Sequence, residues 1–327
     1  MKAILCTQFG PPEELALSEV PSPKPGHGQV LITLKACGVK FPDTLIIQNK
    51  YQFKPPLPFS PGGEVSGIIK EVGEGVKYLK VGDAVLSLTG WGGFAEEVVA
   101  DVATTLPIPI GMDFVTAASV MYTYGTSYHA LKNRAQLQAG ETLLVLGAAG
   151  GVGLAAVQLG VLMGAKVIAA ASSDEKLATC RKLGAEATIN YSTEDLKERI
   201  RELTDGRGAD VIYDPVGDRY TEPALRAIAW KGRYLVVGFA GGDIPKIPLN
   251  LALLKGCQIV GVFWGAFAKN EPQESQQNFR ELLAWIDEGK LRQHVYKTYP
   301  LPEAPDALRD MMERRIIGKA VVVVAES

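Results

Sequence analysis

Apolar and polar positions along the chain have two textures. Through about residue 110 the apolar runs are short, alternate with polar residues and break at glycine and proline. That pattern predicts strands over Lys2–Cys6 and Leu15–Val20, and a third over Val30–Ala36 with Val30, Ile32 and Leu34 on one face. Rigid loops are expected at 21–28 and 54–61, where prolines fix φ and withhold ladder donors. A short helix is expected over Asp43–Gln48. The glycine-dense, β-branched stretch 62–76, with strands over Val81–Leu88 and Phe94–Val99, indicates a strongly bent, barrel-like β domain.

From Asp113 the period lengthens. Helices are expected through Val120 and over Gly125–Ala135. Strands near Ala187–Ile189 and over Asp210–Asp214, Gly232–Gly238 and Gln258–Phe263 then alternate with helices over Glu175–Leu183, Glu194–Thr204 and Glu222–Ala229. Such alternation argues for a parallel, doubly wound sheet. Beyond Trp264 the pattern gives a helix over Gln276–Glu288, proline-rich turns, a helix near Pro305–Arg315 and a last strand over Lys319–Ala325, which is expected to rejoin the first domain.

The stretch 143–173 organises the second texture. Leu143–Leu146 runs into the turn Gly147-Ala148-Ala149-Gly150-Gly151-Val152-Gly153. A helix to about Gly164 and a second apolar run, Lys166–Ala171, follow. This is a βαβ unit. Against the dinucleotide pattern G-x-G-x-x-G the key positions are Ala148, Gly150 and Gly153, so the first departs from it. Gly150 lets backbone approach a pyrophosphate, Gly153 lets helix pack on strand, and the helix N-terminus offers N–H groups to phosphates.

Composition narrows the function. With 327 residues, 47% hydrophobic and 21% charged, the chain is an ordinary globular protein of one large or two smaller domains. A net charge of -2 argues against nucleic-acid binding through a basic face. No apolar run approaches the roughly 20 residues of a membrane span, and the first residues do not read as a secretory signal. Cys6, Cys37, Cys180 and Cys257 are widely spaced, as expected of reduced cytoplasmic thiols.

The order of these parts resembles the medium-chain dehydrogenase/reductase superfamily, and within it the zinc-free NADPH:quinone oxidoreductase (zeta-crystallin-like) family. The markers are the segments 61–67 (PGGEVSG), 124–128 (YGTSY), 148–153 (AAGGVG), 189–191 (INY) and 213–217 (YDPVG). The resemblance implies an α/β fold: a GroES-like β-barrel catalytic domain over 1–122 and 264–327, and a Rossmann doubly wound parallel sheet over 123–263. Zinc-containing relatives carry a cysteine ligand where this chain has Lys40 and a histidine where it has Gly63. Their lobe of four cysteines has no counterpart between Asp83 and Phe94, so no metal is expected.

The resemblance also assigns residues. The strand after the glycine turn ends in Ser172 and Ser173, not in the carboxylate that holds an NAD ribose. With Lys176 and Tyr191 this favours a 2′-phosphate, hence NADPH over NADH. Asp174 and Glu175 suit capping and charging the next helix. Further cofactor contacts are implied at Thr126, Ala149, Gly150, Gly151, Val152, Gly153, Gly217, Gly238, Phe239, Ala240, Phe263, Trp264 and Lys319. Lys40, Asp43 and Tyr51 map to the catalytic pocket: Lys40 either pairs with Asp43 or holds the oxygen that gains charge, and Tyr51 is the candidate proton donor. His129 is expected to be structural. The implied activity is hydride transfer to a quinone. An α,β-unsaturated carbonyl stays open as the acceptor, as does a non-catalytic NADPH-binding sensor or structural protein. A homodimer through the apolar strand 258–263 is expected, with a small-molecule substrate and neither nucleic-acid nor membrane partners.

Overall fold

A computed structural model describes residues 1–324; Ala325, the expected end of the last strand, lies outside the described residues. The chain opens with strands β1 (Lys2–Leu5), β2 (Ala16–Glu19) and β3 (Gln29–Gly38), then helix α1 (Phe41–Ile46). Strands β4 (Glu64–Val72), β5 (Ala84–Leu88), β6 (Glu97–Asp101) and β7 (Thr105–Pro107) lead into α2 (Phe114–Tyr128). Alternating elements follow: β8 (Thr142–Val145), α3 (Gly151–Leu162), β9 (Lys166–Ala171), α4 (Asp174–Lys182), β10 (Ala187–Asn190), α5 (Leu196–Leu203), β11 (Ala209–Asp214), α6 (Thr221–Arg226) and β12 (Ile228–Val236). The remainder is α7 (Asn250–Lys255), β13 (Gln258–Gly261), α8 (Trp264–Asn270), α9 (Pro272–Asp287), β14 (Val295–Pro300), α10 (Ala304–Met312) and β15 (Lys319–Val323).

Two compact units result, and the division falls inside α2. One is Met1–Met121 with the chain from Gln293 onward; the other is Tyr122–Arg292. The second boundary therefore lies nearly thirty residues later than the sequence suggests. Residues 264–292 belong with the parallel sheet because α8 and α9 pack there: Trp264 lies edge-on to Tyr122 and to Phe279.

In the first unit β1 and β2 pair as an antiparallel two-stranded sheet, and the other strands form a seven-stranded sheet in the order β14-β15-β3-β4-β5-β7, with β6 also paired to β3. The β3–β4 ladder shifts register twice. Gly67 lies at the second shift, where a Cβ would sit 2.1 Å from the Thr33 carbonyl oxygen. Close strand approach is what makes this texture glycine-rich. The core is Val30, Ile32 and Leu34 with Val65, Ile69, Phe94, Leu308 and Val322. The three residues expected on one face of β3 do point inward together. Strand β14, hidden among prolines and charges, is exposed along most of its length and carries no apolar alternation.

The second unit is a six-stranded parallel sheet in the order β10-β9-β8-β11-β12-β13. Its core joins Leu144, Leu146, Ile168, Ile189 and Ile212. Each such side chain contributes about 1.5–3 kcal/mol on burial. Where the sequence suggests two helices near residue 120, one helix runs through, and a π-helical turn (His129–Arg134) extends it. Gly125, which reads as a helix start, is a packing contact: a Cβ there would lie 2.8 Å from the Trp264 ring.

Candidate active site

Of the residues assigned to a nucleotide, the glycine turn, Ser172, Ser173, Tyr191, Gly217 and Gly238 follow the carboxyl ends of parallel strands, where such sheets bind ligands. Gly147 has φ +55° and turns the chain out of β8. Gly150 caps α3 in extended conformation, and a Cβ there would meet only the Gly147 oxygen, at 3.4 Å. A Cβ on Gly153 would lie 2.3 Å from that same oxygen. Thus Gly150 keeps a backbone surface bare and Gly153 seats the helix on its turn. A bare turn at a helix N-terminus fits a pyrophosphate. Ala149 is buried in this turn. The Ser127 hydroxyl donates to the Val152 carbonyl oxygen at 2.8 Å and meets the Tyr213 hydroxyl at 2.9 Å, which fixes the helix segment carrying the buried Thr126.

Beside the turn, β9 ends at Ala171, and Ser172 follows it directly. The Lys176 ammonium donates to the Ser172 hydroxyl at 3.1 Å. Ser173, rather than Asp174, caps α4 by accepting from the Lys176 N–H. The Asp174 carboxylate accepts from Asn190 at 3.0 Å. Asp174 and Glu175 still occupy the acidic first turn of α4, as their charge suggested. Tyr191 follows β10, its N–H bonded to the Ala171 carbonyl. A cation, two hydroxyls and a phenol thus sit at the end of β9, where a carboxylate would favour NAD; this set fits a phosphate monoester.

Farther along the sheet, the loops after β11 and β12 zip together. Ala240 N–H donates to the Pro215 oxygen at 3.0 Å, and Gly241 N–H to the Val216 oxygen at 2.7 Å. Gly217 has φ +68°, and a Cβ there would lie 2.8 Å from the Phe239 ring. Gly217, Gly238, Phe239 and Ala240 are therefore brought together. The residue that sets this geometry is Asp214, to which sequence reading gave no role. Buried, it accepts from the N–H groups of Val216 and Gly217 at 2.8 Å each, and from Thr221 and Tyr234. An aspartate ending a strand three residues before a glycine was the available signal.

Trp264 is a core residue between Tyr122 and Phe279 rather than a wall, whereas Phe263 beside it is 47% exposed. Lys319 is 2% exposed, and its ammonium donates to the Glu64 carboxylate at 2.8 Å. It passes the end of β3 at Gly38, where a Cβ would lie 3.0 Å from that carboxylate oxygen. Its charge is paired inside the first unit, with a partner the sequence reading did not name.

The catalytic candidates lie in the first unit. Lys40 precedes α1 and Asp43 lies in its first turn. The Asp43 carboxylate accepts from the Lys40 backbone N–H at 2.9 Å and from its ammonium at 2.7 Å. Both side chains are buried. Burial alone would push the Lys40 pKa down, but the Asp43 carboxylate, with help from Glu64, holds it above the ordinary lysine range. The Cys37 thiol nearby is pushed far up by burial and the Asp43 charge, and is unreactive. Tyr51 is half-buried, its ring 5.9 Å from Phe53 and packed on the barrel core. His129 stacks on Phe267 at 3.9 Å, and burial lowers its pKa.

At Gly63, where zinc relatives carry histidine, a Cβ would lie 2.3 Å from the Gly90 backbone. Lys40, where they carry cysteine, is tied to Asp43. Among the described residues, no group of three or more His, Cys, Asp or Glu is placed to hold a metal, and no helix is long and apolar enough to cross a membrane.

Comparison with known proteins places the fold. Residues 26–110 match the model of the alcohol dehydrogenase GroES-like domain, and residues 151–288 that of the zinc-binding dehydrogenase. The chain is 41% identical to the quinone oxidoreductase-like protein 2 homolog of Nematostella vectensis, over 98% of this chain and 88% of that relative. It is 34% identical to the quinone oxidoreductase of Pseudomonas aeruginosa, over 98% and 99% of the two chains. The Escherichia coli quinone oxidoreductase, solved in complex with NADPH, superposes with a TM-score of 0.93 at 29% identity, over 99% of this chain and 100% of that one.

Proposed function

Because the chain belongs to the zinc-free quinone oxidoreductase family of the medium-chain dehydrogenase/reductase superfamily, we propose that this NADPH-dependent oxidoreductase reduces a quinone by direct hydride transfer. The observation that carries the cofactor is the end of β9, where Lys176 and Ser172 stand 3.1 Å apart beside the bare Gly150 turn. Bound NADPH supplies the hydride. The turn from Ala149 to Gly153 and the α3 N-terminus hold the pyrophosphate; Ser172, Ser173, Lys176 and Tyr191 hold the 2′-phosphate. Thr126, Gly217, Gly238, Phe239, Ala240 and Phe263 orient the nicotinamide end.

In the first unit, Lys40 supplies positive charge to the acceptor oxygen as it becomes anionic. Asp43 keeps that ammonium protonated and in place, so the charge is preorganised rather than recruited from water. Tyr51 delivers the proton. The buried thiols Cys6, Cys37 and Cys180 suit a reducing, cytoplasmic location.

A homodimer belongs to the same proposal. Strand β13 is the open edge of the parallel sheet, and Leu249, Leu253, Ile259 and Phe263 around it are exposed. A two-fold axis would pair that edge with itself. Sedimentation at micromolar concentration should give a dimer, and a monomer there would remove this part.

The deciding experiment for the activity is an acceptor screen with NADPH. Turnover with quinones is expected. Turnover with enones alone would assign the acceptor to α,β-unsaturated carbonyls, and tight NADPH binding without turnover would make the protein a sensor.

A further inference from the structure

The nucleotide end of the second unit contains a cation that the assignments above leave unused. Arg219 follows Gly217 and Asp218, two consecutive residues with positive φ, at +68° and +54°. The kink turns Arg219 outward, and its side chain is exposed. It is nevertheless held: its guanidinium lies 5.1 Å over the Tyr220 ring and donates to the Tyr220 hydroxyl at 3.0 Å. Tyr220 in turn packs on Tyr191, with ring centroids 4.3 Å apart.

Tyr191 stands beside Ser172, because Asn190 and Ala171 are partners in the β10–β9 ladder. The Ser192 hydroxyl also donates to the Ser172 carbonyl at 2.9 Å. Lys176 bonded to Ser172, and Tyr191 packed on Tyr220 and Arg219, are therefore brought side by side where the segments after β9 and β10 are tied together. The two tyrosines sit between two cations. A 2′-phosphate carries close to two negative charges at neutral pH, more than one lysine balances. A guanidinium adds a planar fork matched to phosphate oxygens.

We propose that Arg219, braced on Tyr220, is the second cation of the adenosine 2′-phosphate site and a determinant of NADPH selectivity. This rests on the assignment of the 2′-phosphate to the end of β9. Tyr220 acts as a positioning residue, limiting how far the exposed arginine can swing from Tyr191.

The test is calorimetric titration of the full chain with 2′,5′-ADP and 5′-AMP, and with NADPH and NADH. Wild-type protein, Arg219→Gln and Arg219→Lys are compared, each checked for an unchanged melting temperature. Arg219→Gln should weaken 2′,5′-ADP and NADPH about tenfold or more, with 5′-AMP and NADH changed less than about twofold. Arg219→Lys should recover part of the loss. Equal weakening of all four ligands, or no weakening of any, would overturn the role of Arg219. Wild-type protein that binds 2′,5′-ADP no better than 5′-AMP would instead overturn the assignment of NADPH itself.

Discussion

The two units prepare their chemistry in opposite ways. At the nucleotide end of the parallel sheet, position is set by backbone: a bare glycine turn, a helix N-terminus, and loops zipped by Ala240 to Pro215 and Gly241 to Val216. The charged groups there, Lys176 and Arg219, stand at or near the surface. In the first unit, position is set by buried charge: Lys40 with Asp43 and Lys319 with Glu64, all four nearly inaccessible to water. The first arrangement costs little and recognises a ligand through what it leaves empty. The second carries a desolvation penalty that only intact pairing offsets, and gives in return charge that need not reorganise during reaction.

That contrast can be broken most severely at Glu64. Glu64→Gln leaves Lys319 buried beside a neutral partner and should destabilise the protein by about 3–5 kcal/mol in urea unfolding. Replacing both residues with leucine should return most of that stability. A single variant as stable as wild type would show that the pair is not a structural element.

The next largest effect is on rate. Lys40→Met should lower kcat/KM for a quinone by about 10²-fold or more, with NADPH affinity unchanged. Because Asp43 raises the Lys40 pKa, the group is charged throughout the neutral range, and its contribution should be lost only as pH rises above the ordinary lysine range. An equal loss of NADPH affinity would place Lys40 in cofactor binding instead.

The glycine turn should separate two effects. Gly153→Ala puts a methyl 2.3 Å from the Gly147 oxygen, so stability should fall by about 1–3 kcal/mol together with NADPH affinity. Gly150 is extended and has room, so Gly150→Ala should stay within about 0.5 kcal/mol of wild type and still bind NADPH more weakly. Parallel losses in both variants would mean that Gly150 serves packing alone.

The smallest effect expected is at His129. Its folded pKa is lowered, so below about pH 6.5 the unfolded chain binds the proton more readily. Stability should fall as pH drops through that range. His129→Phe should remove a share of about 1 kcal/mol or less from the acid limb of a melting-temperature profile. An unchanged limb would put the acid sensitivity elsewhere.

The same contrast explains what could be read from sequence. A backbone-made site needs glycine at set positions after an apolar strand, and Gly147–Gly153 was legible for that reason. A site made of buried charge leaves no local pattern. Lys319 and Glu64 are 255 residues apart, and nothing near either names its partner, so their pairing could not be read. Lys40 and Asp43, three apart at a helix start, could be paired in advance, and the structure pairs them. Trp264 was misplaced because an aromatic beside a cleft residue and one in the core look alike. Asp214 went unassigned because two of its partners are backbone N–H groups, which sequence does not display, and the other two, Thr221 and Tyr234, are 7 and 20 residues away. The late domain boundary and strand β14 were missed because packing against Trp264, and pairing to β15, decide them rather than local pattern.

The most direct test of hydride transfer without metal is the stoichiometry and rate of anaerobic quinone reduction by NADPH, on protein exhaustively treated with chelator and checked for metal. One NADPH should be oxidised for each quinone reduced, at the rate of untreated protein. A rate that collapses on chelation and returns with added zinc would contradict the account.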